Sequence, residues 1–221
     1  MAEISLALRS FAVPGELAVA AAQYIEEIAR RSVEERGSFH VALSGGRTPD
    51  LMFAELAECD LPWASMTIYQ VDERIAADDD PARNLRSLTA AFAACGPRIV
   101  PMGVTDADLS EAARRYGEAL PSRFDLVHLG LGADGHTASL VPGDPVLEVD
   151  DELVAITRPY QGHARMTLTY PALARADEVL WLVTGREKRD ALARLRRADT
   201  TIPAGRVVAP RALIMADEAA L

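Results

Sequence analysis

Four times along the chain a short, mostly apolar run stops at a turn of glycine or charged residues: FHVALSGG, SMTIYQVDER, FDLVHLGLG and EVLWLVTG. Runs of this kind, each closed by a turn, read as buried strands. Between or after them lie DLMFAELAE, NLRSLTAAFAA, DLSEAARRYGEAL and EKRDALARLRRA, which read as helices. Ahead of the first run, ELAVAAAQYIEEIARRSVEERG reads as an amphipathic helix closed by Gly37. This alternation predicts an α/β fold with a mainly parallel central sheet. The stretch DPVLEVDDELVAITRPYQGHARMTLTYPALARA mixes β-like pieces with prolines. It reads either as an antiparallel annex on the same sheet or as loop with one helix after Pro171. A chain of 221 residues, 49% hydrophobic and without repeats or a Ser/Gly-rich linker, is expected to form a single domain over 1–221.

A formal net charge of −10 disfavours a nonspecific binder of nucleic acid or anionic membrane, which needs clustered Lys and Arg. Any phosphate must therefore be held by a local cluster. Cys59 and Cys95 lie far apart with no ligand-type spacing, so neither a disulfide framework nor a zinc site is expected, and a reducing cytoplasm fits. The start, MAEISLALRSFAVPGE, lacks the basic region of a secretory signal, and no apolar run approaches the roughly 18 residues of a membrane span.

In a parallel sheet all strands end at one edge, so the residues just beyond them converge although they are distant in sequence. Four motifs are thereby gathered: SGGRTP at 44–49, DER at 72–74, GLGADGH at 130–136 and TGREK at 184–188. In the first, Ser44, Gly45 and Gly46 follow a strand, Thr48 is a candidate N-cap and Pro49 suits a first helical position. Glycine amides and a helix N-terminus suit a phosphate, the alternative being an ordinary strand-to-helix turn. The G-x-x-x-x-G-K-[ST] pattern of triphosphate hydrolysis is absent. The spacing G-x-G-x-x-G at Gly130, Gly132 and Gly135 suggests a dinucleotide site, yet Pro142 and Pro145 leave little room for the helix that such a site requires, and we reject that reading. What remains is Asp134-Gly135-His136, followed by a short helix expected at TASL. A histidine at a helix N-terminus is disfavoured as imidazolium, which suits His136 to act as a general base; the alternative is a histidine capping the turn. His128 reads as a packed strand residue and His40 as the start of a strand, neither with a function.

Taken together, LSGGRTP (43–49), VDERIAADDDPARN (71–84), LGLGADGHTASLVPG (129–143), RMTLTYPAL (165–173) and GREKRDAL (185–192) resemble the 6-phosphogluconolactonase family of the glucosamine/galactosamine-6-phosphate isomerase superfamily, in its order and at compatible separations. The chain departs from the family pattern at Ala76-Ala77, at Arg83 before Asn84, and at Val141-Pro142-Gly143. The resemblance implies a Rossmann-like three-layer α/β/α domain of the glucosamine-phosphate deaminase and ribose-phosphate isomerase type. It further implies hydrolysis of 6-phospho-D-glucono-1,5-lactone to 6-phospho-D-gluconate, in the oxidative pentose phosphate pathway, by a cytoplasmic monomer or homodimer without cofactor.

A lactone is an activated ester, so one positioned base suffices to direct water at its carbonyl, and the absence of a G-x-S-x-G elbow argues against an acyl-enzyme. His136 is the candidate base. The oxyanion donors are either amides of the Gly132 to Gly135 turn or the Arg74 guanidinium. Asp72 and Asp134 are candidates to hold Arg74, His136 or sugar hydroxyls, and Asn84 joins the substrate-binding set. For the phosphate the expected partners are Ser44, Gly45, Gly46, Arg47 and Thr48 with Arg165 and Lys188. No metal is expected, and DDDP at 78–81 reads as a solvated loop. One rival is a sugar-phosphate isomerase or deaminase, which would move a proton with Asp72, but the Asn-Glu pair of deaminases after DGH is missing. The other, a noncatalytic sugar-phosphate sensor, would carry a DNA-binding module, and no helix-turn-helix segment stands out.

Overall fold

The computed structural model describes residues 5–221. In chain order the elements are β1 (Ser5–Phe11), α1 (Pro14–Arg36), β2 (Phe39–Leu43), α2 (Arg47–Ala57), β3 (Met66–Gln70), β4 (Asp72–Arg74), α3 (Asn84–Ala91), β5 (Arg98–Val100), α4 (Leu109–Ala119), β6 (Leu126–Gly130), β7 (Val154–Ile156), β8 (Arg165–Leu168), α5 (Tyr170–Leu173), β9 (Glu178–Val183), α6 (Arg189–Arg196) and β10 (Arg211–Asp217). Seven strands form one sheet in the order β1-β10-β9-β6-β2-β3-β5, and every pairing in it is parallel.

Alternate residues of these strands enter opposite layers, because successive side chains of a strand point to opposite faces. Phe39, Val41, Leu43, Leu126 and Met215 pack with α1, α2 and α3 through Ile25, Phe53 and Leu88. Ala42, Val127, Leu129, Trp181 and Ile214 pack with α4, α5 and α6 through Tyr116, Leu173 and Leu192. Both faces are therefore covered, and the fold is the three-layer α/β/α arrangement that the family resemblance implies, around the parallel sheet that the alternating pattern predicts.

From β2 the chain proceeds to β3 and β5 on one side, then crosses back to β6 on the other and continues to β9 and β10. The order reverses between β2 and β6. The segments leaving their carboxyl ends diverge there, and an open α/β sheet accepts ligands at such a point.

Several local expectations are corrected. SMTIYQVDER is not one strand: Val71 donates its N–H to the Leu43 carbonyl in the large sheet and accepts from the Leu168 N–H, so the chain changes sheet at that residue. β4 then pairs with β8 in a separate antiparallel sheet of order β4-β8-β7. The proline-containing middle stretch thus forms strands of its own sheet, not an annex on the large one, and α5 begins at Tyr170 with Pro171 in its first turn. Gly46, not Thr48, stands at the N-cap of α2, which begins at Arg47. The helix expected at TASL is absent. Thr137 and Leu140 close that segment as a turn through mutual backbone hydrogen bonds, with Ala138 at φ 50°. Among the described residues no helix is long and apolar enough to cross a membrane.

Candidate active site

A cavity of about 560 Å³ opens at the carboxyl ends of β2, β6 and β9. Ser44, Gly45, Gly46, Arg47 and Thr48 line it from the loop after β2 and the first turn of α2; Gly132 and His136 line it from the loop after β6. Asp72 and Arg74 of β4, Asn84 of α3, Arg165 of β8 and Lys188 after β9 complete the predicted set. Asp134 and Gly135 stand behind this lining, Asp134 against the His136 ring and Gly135 packed on Ile202.

The His136 ring is held from one side. Its Nδ1 lies 2.5 Å from Asp134 Oδ1, which also accepts the His136 backbone N–H at 3.1 Å. Burial raises the Asp134 pKa, but hydrogen bonds from the His136 backbone and ring and from the Tyr160 hydroxyl outweigh it and hold the carboxyl below its usual range. An ionised carboxylate only accepts, so Nδ1 carries a proton, and in the neutral ring Nε2 is the nitrogen with the lone pair. The helix N-terminus expected to disfavour imidazolium at His136 does not exist, so that effect has no source there; the group beside the ring is the Asp134 carboxylate, which directs the Nδ1 proton.

The glycine spacing has a steric cause. A side chain on Gly132 would meet His136 Nδ1 at 2.0 Å, so only glycine lets the ring fold back on the turn. Gly132 donates its N–H to the His136 carbonyl at 2.8 Å and Gly135 donates to the Gly132 carbonyl at 3.0 Å. Those two amides are engaged within the turn.

The loop after β2 is tied on both sides. Ser44 donates its N–H to His128 Nδ1 at 3.3 Å and its hydroxyl to the His128 carbonyl at 3.0 Å. His128 is fully buried, and burial pulls its pKa down to about 3, so the ring is a neutral acceptor. Thr48 Oγ1 lies 2.6 Å from Thr184 Oγ1, joining this loop to the one after β9. There the Asp217 carboxylate accepts the Gly185 N–H at 3.0 and 3.2 Å and fixes the turn that presents Lys188.

On the opposite wall, Arg74 donates from Nη1 to the Ala82 carbonyl at 2.8 Å and to Asn84 Oδ1. Glu73, fully buried, accepts the N–H groups of Arg74, Asn84 and Leu85, each at 2.8 Å, and pairs with Arg83 at 3.2 Å. A carboxylate thus caps α3 and sets Asn84 beside Arg74. Asp72 accepts the Ser139 hydroxyl at 2.5 Å and Asn84 Nδ2 at 3.4 Å and lies 4.0 Å from Arg165 Nη1, so its partners are Ser139, Asn84 and Arg165 instead of Arg74 or His136. Arg165 is only 5% exposed; burial lowers its pKa, against the opposing charge of Asp72.

Sequence reasoning gathered Thr184 with the TGREK motif but gave it no role, and missed Asp217, Ser139, Tyr160 and the anchoring part of His128. Thr184 directly follows a predicted strand and was within reach of the strand-end argument. The others depend on pairings between distant segments that no local pattern announces. Among the described residues no group of three or more His, Cys, Asp or Glu side chains is placed to hold a metal ion.

Residues 13–215 match the family described as glucosamine-6-phosphate isomerases/6-phosphogluconolactonase. A 6-phosphogluconolactonase of Synechocystis is 36% identical over 179 residues, covering 75% of this chain and 74% of that protein. The human GDH/6PGL endoplasmic bifunctional protein is 40% identical over 192 residues, covering 79% of this chain and 24% of that protein, so the match spans about a quarter of that relative. The crystal structure of a 6-phosphogluconolactonase from Thermotoga maritima aligns with a TM-score of 0.89 at 26% identity, covering 97% of this chain and 100% of that one.

Proposed function

The chain belongs to the glucosamine-6-phosphate isomerase/6-phosphogluconolactonase family, and from that membership we propose that it hydrolyses 6-phospho-D-glucono-1,5-lactone to 6-phospho-D-gluconate. The observation that carries this reading within the site is the His136–Asp134 contact, which engages Nδ1 and makes Nε2 the nitrogen available as a base on a residue lining the cavity. Nε2 takes a proton from water as its oxygen adds to the lactone carbonyl. The tetrahedral intermediate then collapses with cleavage of the bond between the carbonyl carbon and the ring oxygen, and the imidazolium returns the proton to that oxygen. Asp134 stabilises the imidazolium formed between these steps.

For the oxyanion we assign Arg74. The amides of Gly132 and Gly135 are engaged inside their turn, whereas Arg74 is braced through Nη1 and retains further N–H donors. For the phosphate we assign the 44–48 loop with Arg165 and Lys188, since they line the same cavity and combine a helix N-terminus with two cations. Cys59 and Cys95 are free thiols, which suits a cytoplasmic setting.

The test is hydrolysis of the lactone generated in situ, corrected for spontaneous opening, by wild type and His136→Ala together. The expected result is fast wild-type turnover with kcat lowered roughly 10²–10⁴-fold by the substitution. Absence of wild-type turnover overturns the assignment and turns attention to isomerase and deaminase chemistry.

A further inference from the structure

The hairpin joining β7 to β8 turns at Tyr160, Gln161, Gly162 and His163 and sets Tyr160 against Asp134 and His136. Tyr160 donates its N–H to the His163 carbonyl at 2.9 Å, and His163 donates back to the Tyr160 carbonyl at 3.3 Å. Gln161 and Gly162 have φ of 51° and 92°. Two central residues at positive φ are the pattern of the type I′ turn, whose twist matches that of the strands it joins. The main chain of Tyr160 is therefore fixed by the turn.

Its side chain meets both halves of the site. The hydroxyl donates to Asp134 Oδ2 at 3.2 Å and accepts from Gln161 Nε2 at 3.3 Å. The ring stands edge-on to His136, with centroids 5.3 Å apart and planes at 67°. The Arg165 guanidinium lies over the ring, 5.2 Å from its centroid, and reaches the Tyr160 carbonyl at 3.5 Å. Burial, then the Asp134 charge, pushes the Tyr160 hydroxyl pKa up, which keeps it a donor.

We propose that Tyr160 is a positioning residue that locks the Asp134 carboxylate, and through it the His136 tautomer, at a fixed separation from the Arg165 cation. The inference rests on the lactonase reading for its kinetic consequence, but its structural core does not. Asp134 sits on a turn with its side chain 38% exposed, and both His136 donors, ring and backbone, reach only Oδ1, so without a further contact Oδ2 is unheld. With Oδ1 on His136 and Oδ2 on Tyr160, both oxygens are held. A displacement of about 1 Å at a catalytic group can cost roughly 10²-fold in rate, so this restraint bears directly on turnover. The Tyr160 ring meanwhile gives Arg165 a flat surface on which to rest.

Two substitutions separate these contributions. Tyr160→Phe keeps the ring and removes the hydroxyl; it should lower kcat by about 3- to 30-fold with KM within about twofold. Tyr160→Leu should add a several-fold rise in KM, because Arg165 loses its platform. Imidazole ¹⁵N shifts of His136 should show a smaller Nδ1–H fraction in Tyr160→Phe at an unchanged thermal midpoint. In an Asp134→Asn background Tyr160→Phe should have no further effect on kcat. Unchanged ¹⁵N shifts and kcat in Tyr160→Phe, or an equal loss with and without Asp134, overturn the proposal. The ¹⁵N measurement needs no turnover, so it judges Tyr160 even if the lactone proves not to be the substrate.

Discussion

With its Nδ1 proton held by Asp134, the His136 ring has a single basic nitrogen, and a substrate must be brought to it by other groups. Lys188 and Arg165 share that task in our assignment but differ in setting. Lys188 is half-buried on a turn, whereas Arg165 is 5% exposed and packed between Tyr160 and Asp72. Lys188→Ala should therefore raise KM for the phosphorylated lactone about tenfold with kcat within about threefold, read by steady-state kinetics. Arg165→Ala should raise KM and also lower the thermal midpoint, because it leaves Asp72 and Ser139 buried with one partner fewer. At this scale the DGH triplet was legible as a candidate base with Asp134 a candidate to hold its ring, but the turn that follows it was not. The turn at Thr137–Leu140 needs Ala138 at φ 50°, a conformation that an Ala-Ser-Leu sequence gives no reason to expect. Tyr160 was illegible for a related reason: its three partners come from three other positions, and only the hairpin turn brings them together.

The contact between the loop after β2 and the start of α3 shows how closely neighbouring elements approach. A Cβ on Gly45 would lie 2.2 Å from Asn84 Oδ1 and 2.9 Å from Asn84 Cβ. Gly45→Ala should push Asn84 off Arg74, costing about 1–3 kcal/mol of stability and raising KM. Thermal unfolding and kinetics of the variant check both effects, and an unchanged KM would show that Asn84 can yield without disturbing Arg74. The glycine was visible in the sequence as part of an anion loop, while its steric reason was not, since Asn84 lies 39 positions away. Long helices and strands closed by glycine turns were readable. RALIMAD was not, because Ala, Leu and Met favour helix and no glycine marks its end; only its place between β1 and β9 makes it a strand.

Across the whole molecule, acid tolerance should reflect the buried His128. Its pKa is about 3 in the folded state against 6.5 for the ordinary side chain. Above pH 6.5 the ring is neutral in both states and its contribution to stability is complete. As pH falls from 6.5 towards 3, the unfolded chain takes up a proton that the folded chain refuses, so stability is lost by up to about 1.4 kcal/mol per pH unit from this group. Urea midpoints measured from pH 7 to pH 4 should fall less steeply for His128→Asn, which keeps an acceptor for Ser44; an identical slope would remove His128 as the cause. The α/β class and the parallel sheet were legible from alternation, and the three layers from the family resemblance. Strand order was not, and with it the reversal between β2 and β6 that opens the site, because any single strand reads the same in many orders.

That order also bears on how the chain comes off the ribosome. β10 lies between β1 and β9, so β1 has no sheet to join until β10, at residues 211–217, has been translated. At typical synthesis rates the wait lasts roughly 10 to 40 seconds. Until β10 arrives, β9 presents an unpaired edge, which leaves the nascent chain open to pairing with a neighbouring strand.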